Sequence, residues 1–198
     1  MAHPVVLIHG MWSTGANLAR VAAGLRARGF ECHLPDLPYH QAGTRHAAVG
    51  NASLRDYLAF LERYIAEKKF AQPPVLLGHS MGGLLAQQLA SRIDSFALVL
   101  LTPGSPAGVN ALRPAPVAAF SKVLATPGFW RKPHKPSPQR ARLSVFNGLP
   151  DYKQNELYAG MVEESGRAAF EIAFWPLDRN RASRVDTAAV NCPVYVVA

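Results

Sequence analysis

The stretch that most constrains this chain runs over residues 74–85, where Val75, Leu76 and Leu77 give way to Gly78-His79-Ser80-Met81-Gly82-Gly83 and then to Leu84, Leu85 and Ala86. Within a few positions an apolar strand pattern becomes a helical one. Ser80 has a glycine two positions before it and another two after it, as a sharp strand-to-helix turn requires where the backbone leaves no room for a Cβ. The stretch reads as a nucleophile elbow, a serine held at a helix N-terminus where the dipole and free N–H groups favour negative charge. On this reading the Met81 N–H is an oxyanion donor, and Gly78, His79 and Gly82 support the turn. The competing reading is an ordinary glycine-rich turn; the strand on one side and the helix on the other favour the elbow.

A hydrolytic serine needs two oxyanion donors, the second from a loop beside the elbow strand. Pro4, Val5, Val6, Leu7 and Ile8 form a continuous apolar run ending in His9-Gly10-Met11-Trp12. This pattern predicts a buried parallel strand that opens into a functional loop. The backbone N–H of Met11 is the candidate second donor, with His9, Gly10 and Trp12 shaping the loop. Taken alone, His9-Gly10 also fits a strand-terminating turn with a structural histidine.

The rest of the first hundred residues alternates helix and strand. Leu18, Val21, Ala22 and Leu25 recur at helical spacing over residues 17–28, and Gly29 follows as a C-cap. Residues 30–34 return to strand character, and Asp36 just beyond them reads as a loop brace rather than a catalytic acid. Ser53 is placed to cap a helix running to Phe70, with Leu54, Tyr57, Leu58, Leu61, Tyr64 and Ile65 on one face. A buried strand follows over residues 96–101, and residues 190–198 form a last apolar β run. The order predicts an α/β fold, a mainly parallel sheet with helices on both faces.

Residues 105–185 break this rhythm with many prolines, aromatic pairs such as Phe129-Trp130, and weak helical patterns around 115–125, 138–146 and 155–170. They are expected to form an inserted cap, leaving residues 1–104 and 186–198 as the core. Between Phe96 and Pro150 there is no Asp or Glu, but Arg113, Lys122, Arg131, Lys132, Lys135, Arg140 and Arg142 all fall there, which accounts for most of the net charge of +8. A basic, aromatic cap favours anionic or amphiphilic substrates or an anionic surface; an ordinary solvated basic face is the plainer alternative. No nucleic-acid-binding motif accompanies the charge.

Cys32 and Cys192 lie far apart in apolar segments and read as reduced core residues. Neither they nor the histidines show metal-ligand spacing, so no metal and no cofactor is expected. No signal peptide and no run of about 18 apolar residues is seen, so the expected compartment is cytoplasmic, without a membrane anchor.

Together, the loop His9-Gly10-Met11-Trp12 and the elbow Gly78-His79-Ser80-Met81-Gly82-Gly83 resemble the α/β-hydrolase fold superfamily, in particular its esterase- and lipase-like members with a serine nucleophile. The resemblance implies that Ser80 attacks a carboxylic ester, a small molecule that can be amphiphilic, while Met11 and Met81 hold the oxyanion. In this family the acid follows the seventh strand and the histidine the eighth, in the order Ser, acid, His. After the elbow strand only His134 occurs, within the expected cap. The resemblance therefore places the acid and histidine beyond Ala198, and the chain reads as truncated at its C-terminus, without the final strand and helix of the fold. Two alternatives stay open. One is a ligand-binding homologue without catalysis; the other is a cofactor-free haloperoxidase or hydroxynitrile-lyase-like enzyme on the same fold.

Overall fold

A computed structural model describes residues 3–43, 46–109 and 125–197. The central sheet has five parallel strands in the order β2 (Cys32–His33), β1 (Val5–Ile8), β3 (Val75–His79), β4 (Ala97–Leu101) and β7 (Val194–Val197). β1 is buried at all four positions because both of its faces are covered. Val6 and Ile8 join Leu76, Leu98 and Leu100 against α2 (Leu54–Lys68) and α3 (Met81–Ala90). Val5 and Leu7 join Leu77 on the opposite face, against Leu18 and Ala22 of the Gly15–Leu18 turn and α1 (Ala19–Arg26).

The chain leaves β1 for β2 on one side and returns to β3 on the other, with Val5 opposite Val75 and Ile8 opposite Gly78. The order of strands thus reverses between β1 and β3. In open α/β sheets, the crevice beyond the carboxyl ends of the strands at such a reversal is where ligands bind. His9, Gly10 and Met11 leave β1 there, and Ser80 leaves β3 beside them.

Local chemistry sets several element boundaries. The helix expected over residues 17–28 begins as a 3₁₀ turn and is α-helical only over Ala19–Arg26. Ser53 does cap α2, its hydroxyl accepting the Arg55 N–H, but the helix stops at Lys68 because Lys69 turns left-handed at φ 48°. The strand expected over residues 30–34 shortens to Cys32–His33 at the edge of the sheet. The helix expected over residues 155–170 is two helices: α5 (Asp151–Ala159) and α6 (Gly166–Ala173), separated by β6 (Glu164–Ser165). β6 pairs antiparallel with β5 (Pro133–His134), and α4 (Pro138–Ser144) lies between them in sequence. The helix expected around 115–125 lies outside the described residues apart from Ala125. Ala168 and Ala182 pack into the same apolar cluster as α2 and α3. No helix among the described residues is long and apolar enough to cross a membrane.

Candidate active site

Ser80 sits at φ 54°, ψ −123°, on the junction of β3 and α3. A non-glycine residue in that region costs about 1–3 kcal/mol and persists only where its surroundings over-determine it. Here they do: its N–H donates to Leu101 O at 3.1 Å, and its carbonyl accepts from Gly83 N at 2.8 Å and Gly104 N at 2.7 Å. The hydroxyl is not used as a helix cap. The flanking glycines are sterically required. A Cβ on Gly78 would fall 2.2 Å from Gly82 O, and one on Gly82 would fall 2.2 Å from Ile8 O. Met81, the first residue of α3, is buried, whereas His79 beside the serine reaches solvent.

The loop after β1 lies against this turn. A Cβ on Gly10 would come within 2.9 Å of Ser80 Cβ and 3.1 Å of His79 O, so the two segments meet backbone to backbone. His9 is fully buried; its Nε2 accepts the Leu37 N–H at 3.0 Å and its Nδ1 donates to Gly10 O at 2.9 Å. Burial, reinforced by His40 nearby, pushes the His9 imidazole down to about 4, which keeps it neutral. The Gly10 carbonyl and the Met11 N–H belong to one planar trans amide, so a carbonyl turned toward His9 turns that N–H the opposite way. Among the described residues no acceptor meets the N–H of Met11 or of Met81. Asp36 accepts the Gly15 N–H at 2.7 Å and braces the next turn of the loop.

Trp12 is buried and left-handed at φ 58°. Its carbonyl accepts from Val162 N at 3.0 Å, and its indole Nε1 donates to His134 Nδ1 at 3.3 Å. His134 in turn donates from Nε2 to Ser165 O at 3.2 Å, and burial lowers its pKa. The histidine that follows the elbow in sequence is therefore held beneath Trp12.

Three functional-looking groups carry no local sequence signal. His40 Nε2 meets Glu164 Oε2, Tyr57 donates its hydroxyl to Glu164 Oε1 at 2.8 Å, and the Ser165 N–H adds a 2.7 Å bond to the same oxygen. His40 Nδ1 pairs with Pro38 O. The ring nitrogens of His9, His40 and His134 are thus all engaged away from the Ser80 hydroxyl. Among the described residues no three His, Cys, Asp or Glu side chains gather as metal ligands. The arrangement offers a half-buried, strained serine at a helix N-terminus, next to a loop whose Met11 N–H, like that of Met81, meets no acceptor among the described residues.

A family model described as the alpha/beta hydrolase family matches residues 5–197. Among curated relatives, the pimeloyl-(acyl-carrier protein) methyl ester esterase of Chromobacterium violaceum is 37% identical over 103 residues, covering 50% of this chain and 37% of the relative. The enzyme of the same name from Aeromonas hydrophila subsp. hydrophila is 32% identical over 130 residues, covering 61% of this chain and 47% of the relative. The chain thus spans less than half the length of these relatives. Among solved structures, an extracellular alpha/beta-hydrolase from a Paenibacillus species superposes with a TM-score of 0.70 at 17% identity, covering 99% of this chain and 90% of its own. Tomato methylketone synthase I complexed with 2-tridecanone gives 0.73 at 16% identity, covering 100% and 79%. At these identities the two structures speak to the fold.

Proposed function

Because the chain belongs to the alpha/beta hydrolase family, we propose that it carries the nucleophile of an enzyme that hydrolyses carboxylic esters by acyl transfer through Ser80. The observation that carries this reading is the strained Ser80 backbone at the β3–α3 junction, fixed on both sides while its hydroxyl stays out of the capping network. The Ser80 Oγ attacks the ester carbonyl and passes its proton to a general base. The N–H groups of Met11 and Met81 stabilise the resulting tetrahedral oxyanion, each worth roughly 3 kcal/mol of barrier. The alcohol departs, and water then hydrolyses the acyl-serine.

The general base is a histidine supported by an acid. The order Ser, acid, His that the family resemblance implies assigns both groups to chain beyond these 198 residues; His9, His40 and His134 are committed elsewhere, and the greater length of the relatives leaves room. The esterase names of those relatives support a small-molecule ester as substrate. Residues 105–185 act as a cap that selects its acyl or alcohol part. The basic side chains there, among them Arg131, Lys132 and Arg142, favour an ester that also bears negative charge.

A fluorophosphonate probe on the complete natural chain tests the reading by intact mass. One adduct is expected, mapped to Ser80 and lost in Ser80→Ala. A folded, complete chain that takes up no probe overturns it and leaves a ligand-binding homologue.

A further inference from the structure

We propose that His134 is a positioning residue for the oxyanion loop, acting through Trp12 from the β5–β6 ribbon. This inference rests on the reading of Met11 as an oxyanion donor and extends it to a side chain more than a hundred residues away.

Trp12 directly follows Met11, and its left-handed backbone is a conformation that a bulky residue leaves unless neighbours hold it. Its anchors on this side come from residues 134 and 162. The Val162 N–H takes its carbonyl, and His134 Nδ1 takes its indole N–H. His134 itself is fixed by the ribbon, since its other nitrogen donates to Ser165 O while it pairs across the ribbon with Glu164. That neighbour is locked to the core by His40 and Tyr57. His9 holds one end of the loop through Gly10 O, and His134 holds the other through Trp12. With the second hold released, Trp12 relaxes toward negative φ, which rotates the Met11–Trp12 peptide and draws Met11 away from Ser80. The ribbon is therefore part of the oxyanion loop's support.

The test uses the complete natural chain, with turnover of p-nitrophenyl acetate and the Trp12 indole N–H resonance as readouts. His134→Phe keeps the ring volume and removes the acceptor, whereas His134→Asn places an oxygen near the former Nδ1. In His134→Phe, kcat is expected to fall about ten- to a hundredfold with KM changed by less than about twofold. The Trp12 resonance moves toward that of a free indole, and His134→Asn restores both. The double variant Trp12→Phe/His134→Phe should lose no more than the worse single variant, because the two residues act as one unit. Unchanged kcat in His134→Phe, an unmoved indole resonance, or additive losses in the double variant would overturn the proposal. If the Phe variant does not fold, Trp12→Phe, which removes the indole donor and leaves His134 in place, decides on turnover alone: the same fall in kcat with KM unchanged supports the proposal, and an unchanged kcat overturns it. Failure of the underlying reading looks different: Ser80→Ala would retain full turnover while the indole resonance still moved with His134, leaving a clamp without a catalytic role.

Discussion

His40 Nε2 and Glu164 Oε2 lie 3.0 Å apart across 124 positions of sequence, and neither side chain touches solvent. Burial pulls the imidazole down and the carboxyl up, yet their mutual charge and hydrogen bond outweigh it, so His40 is raised and Glu164 lowered. The contact thus favours the charged pair, and the Tyr57 hydroxyl and Ser165 N–H satisfy the second carboxylate oxygen. Removing one partner strands the other charge, at a cost of about 3–5 kcal/mol. Glu164→Gln should therefore lower the urea-unfolding free energy by about 3 kcal/mol. Replacing both residues with apolar ones of similar volume should recover much of it; a double variant as unstable as the single one would refute this account.

The same pair sets a pH window. The raised His40 gives its full stabilisation below its unfolded value of 6.5 and loses it as pH rises through its folded pKa. The lowered Glu164 gives its full share above its unfolded value of 4.5 and loses it as pH falls through its folded pKa. His9 works the other way on the acid side: below 6.5 the unfolded chain protonates it, while the folded chain resists down to about 4. The gap in urea midpoint between the natural chain and Glu164→Gln should be widest between pH 4.5 and 6.5 and narrow above it. A gap independent of pH would mean that packing, and not charge, carries the contact.

His9 should matter to kcat rather than to substrate binding. His9→Phe releases the Gly10 carbonyl, leaving the Gly10–Met11 amide free to turn its N–H away from Ser80. Loss of one oxyanion donor lowers kcat about a hundredfold. Steady-state kinetics on a simple ester in the complete chain checks this; a change confined to KM would place His9 outside the catalytic geometry.

Glu171 joins the later segment to the core without reaching Ser80. It accepts from Ser53 Oγ and from Leu54 N, both at 2.8 Å, at the start of α2, and Arg167 closes on it at 2.7 Å. Glu171→Ala should cost about 2 kcal/mol in thermal or urea unfolding while leaving fluorophosphonate labelling at Ser80 intact. Loss of labelling in a folded variant would tie Glu171 to the site itself.

The elbow was readable because its demands are local and steric: a Cβ on Gly78 or Gly82 would meet a backbone oxygen at 2.2 Å, a requirement that leaves its mark in a spacing of two. The Ser53 cap and the alternation of β1, α1, β2, α2 and β3 were readable for the same reason. Glu164 was not. In sequence it stands beside Glu163 in a polar, weakly helical stretch, and only the fold brings His40 and Tyr57 to it. Its neighbour Ser165 bonds Ala52 O at 2.6 Å, and that contact with the core interrupts what reads as one helix over residues 155–170. His134 was visible as the one histidine after the elbow, but nothing in its spacing points to Trp12.

Three clasps on the first sixty residues come from much later in the chain: His134 for Trp12, Glu164 for His40 and Tyr57, and Glu171 for Ser53 and Leu54, across separations of 107 to 124 positions. The elbow needs only β1, β3, β4 and the Gly104 N–H, all made by residue 104. During synthesis, then, the serine turn forms while its companion loop waits for about 60 more residues to leave the ribosome, and long-range closure is the slow part of folding. A nascent chain halted before Glu164 would display the Ser80 turn beside a loop that still lacks its clasps, so the surroundings of the serine would be completed late, with the ribbon.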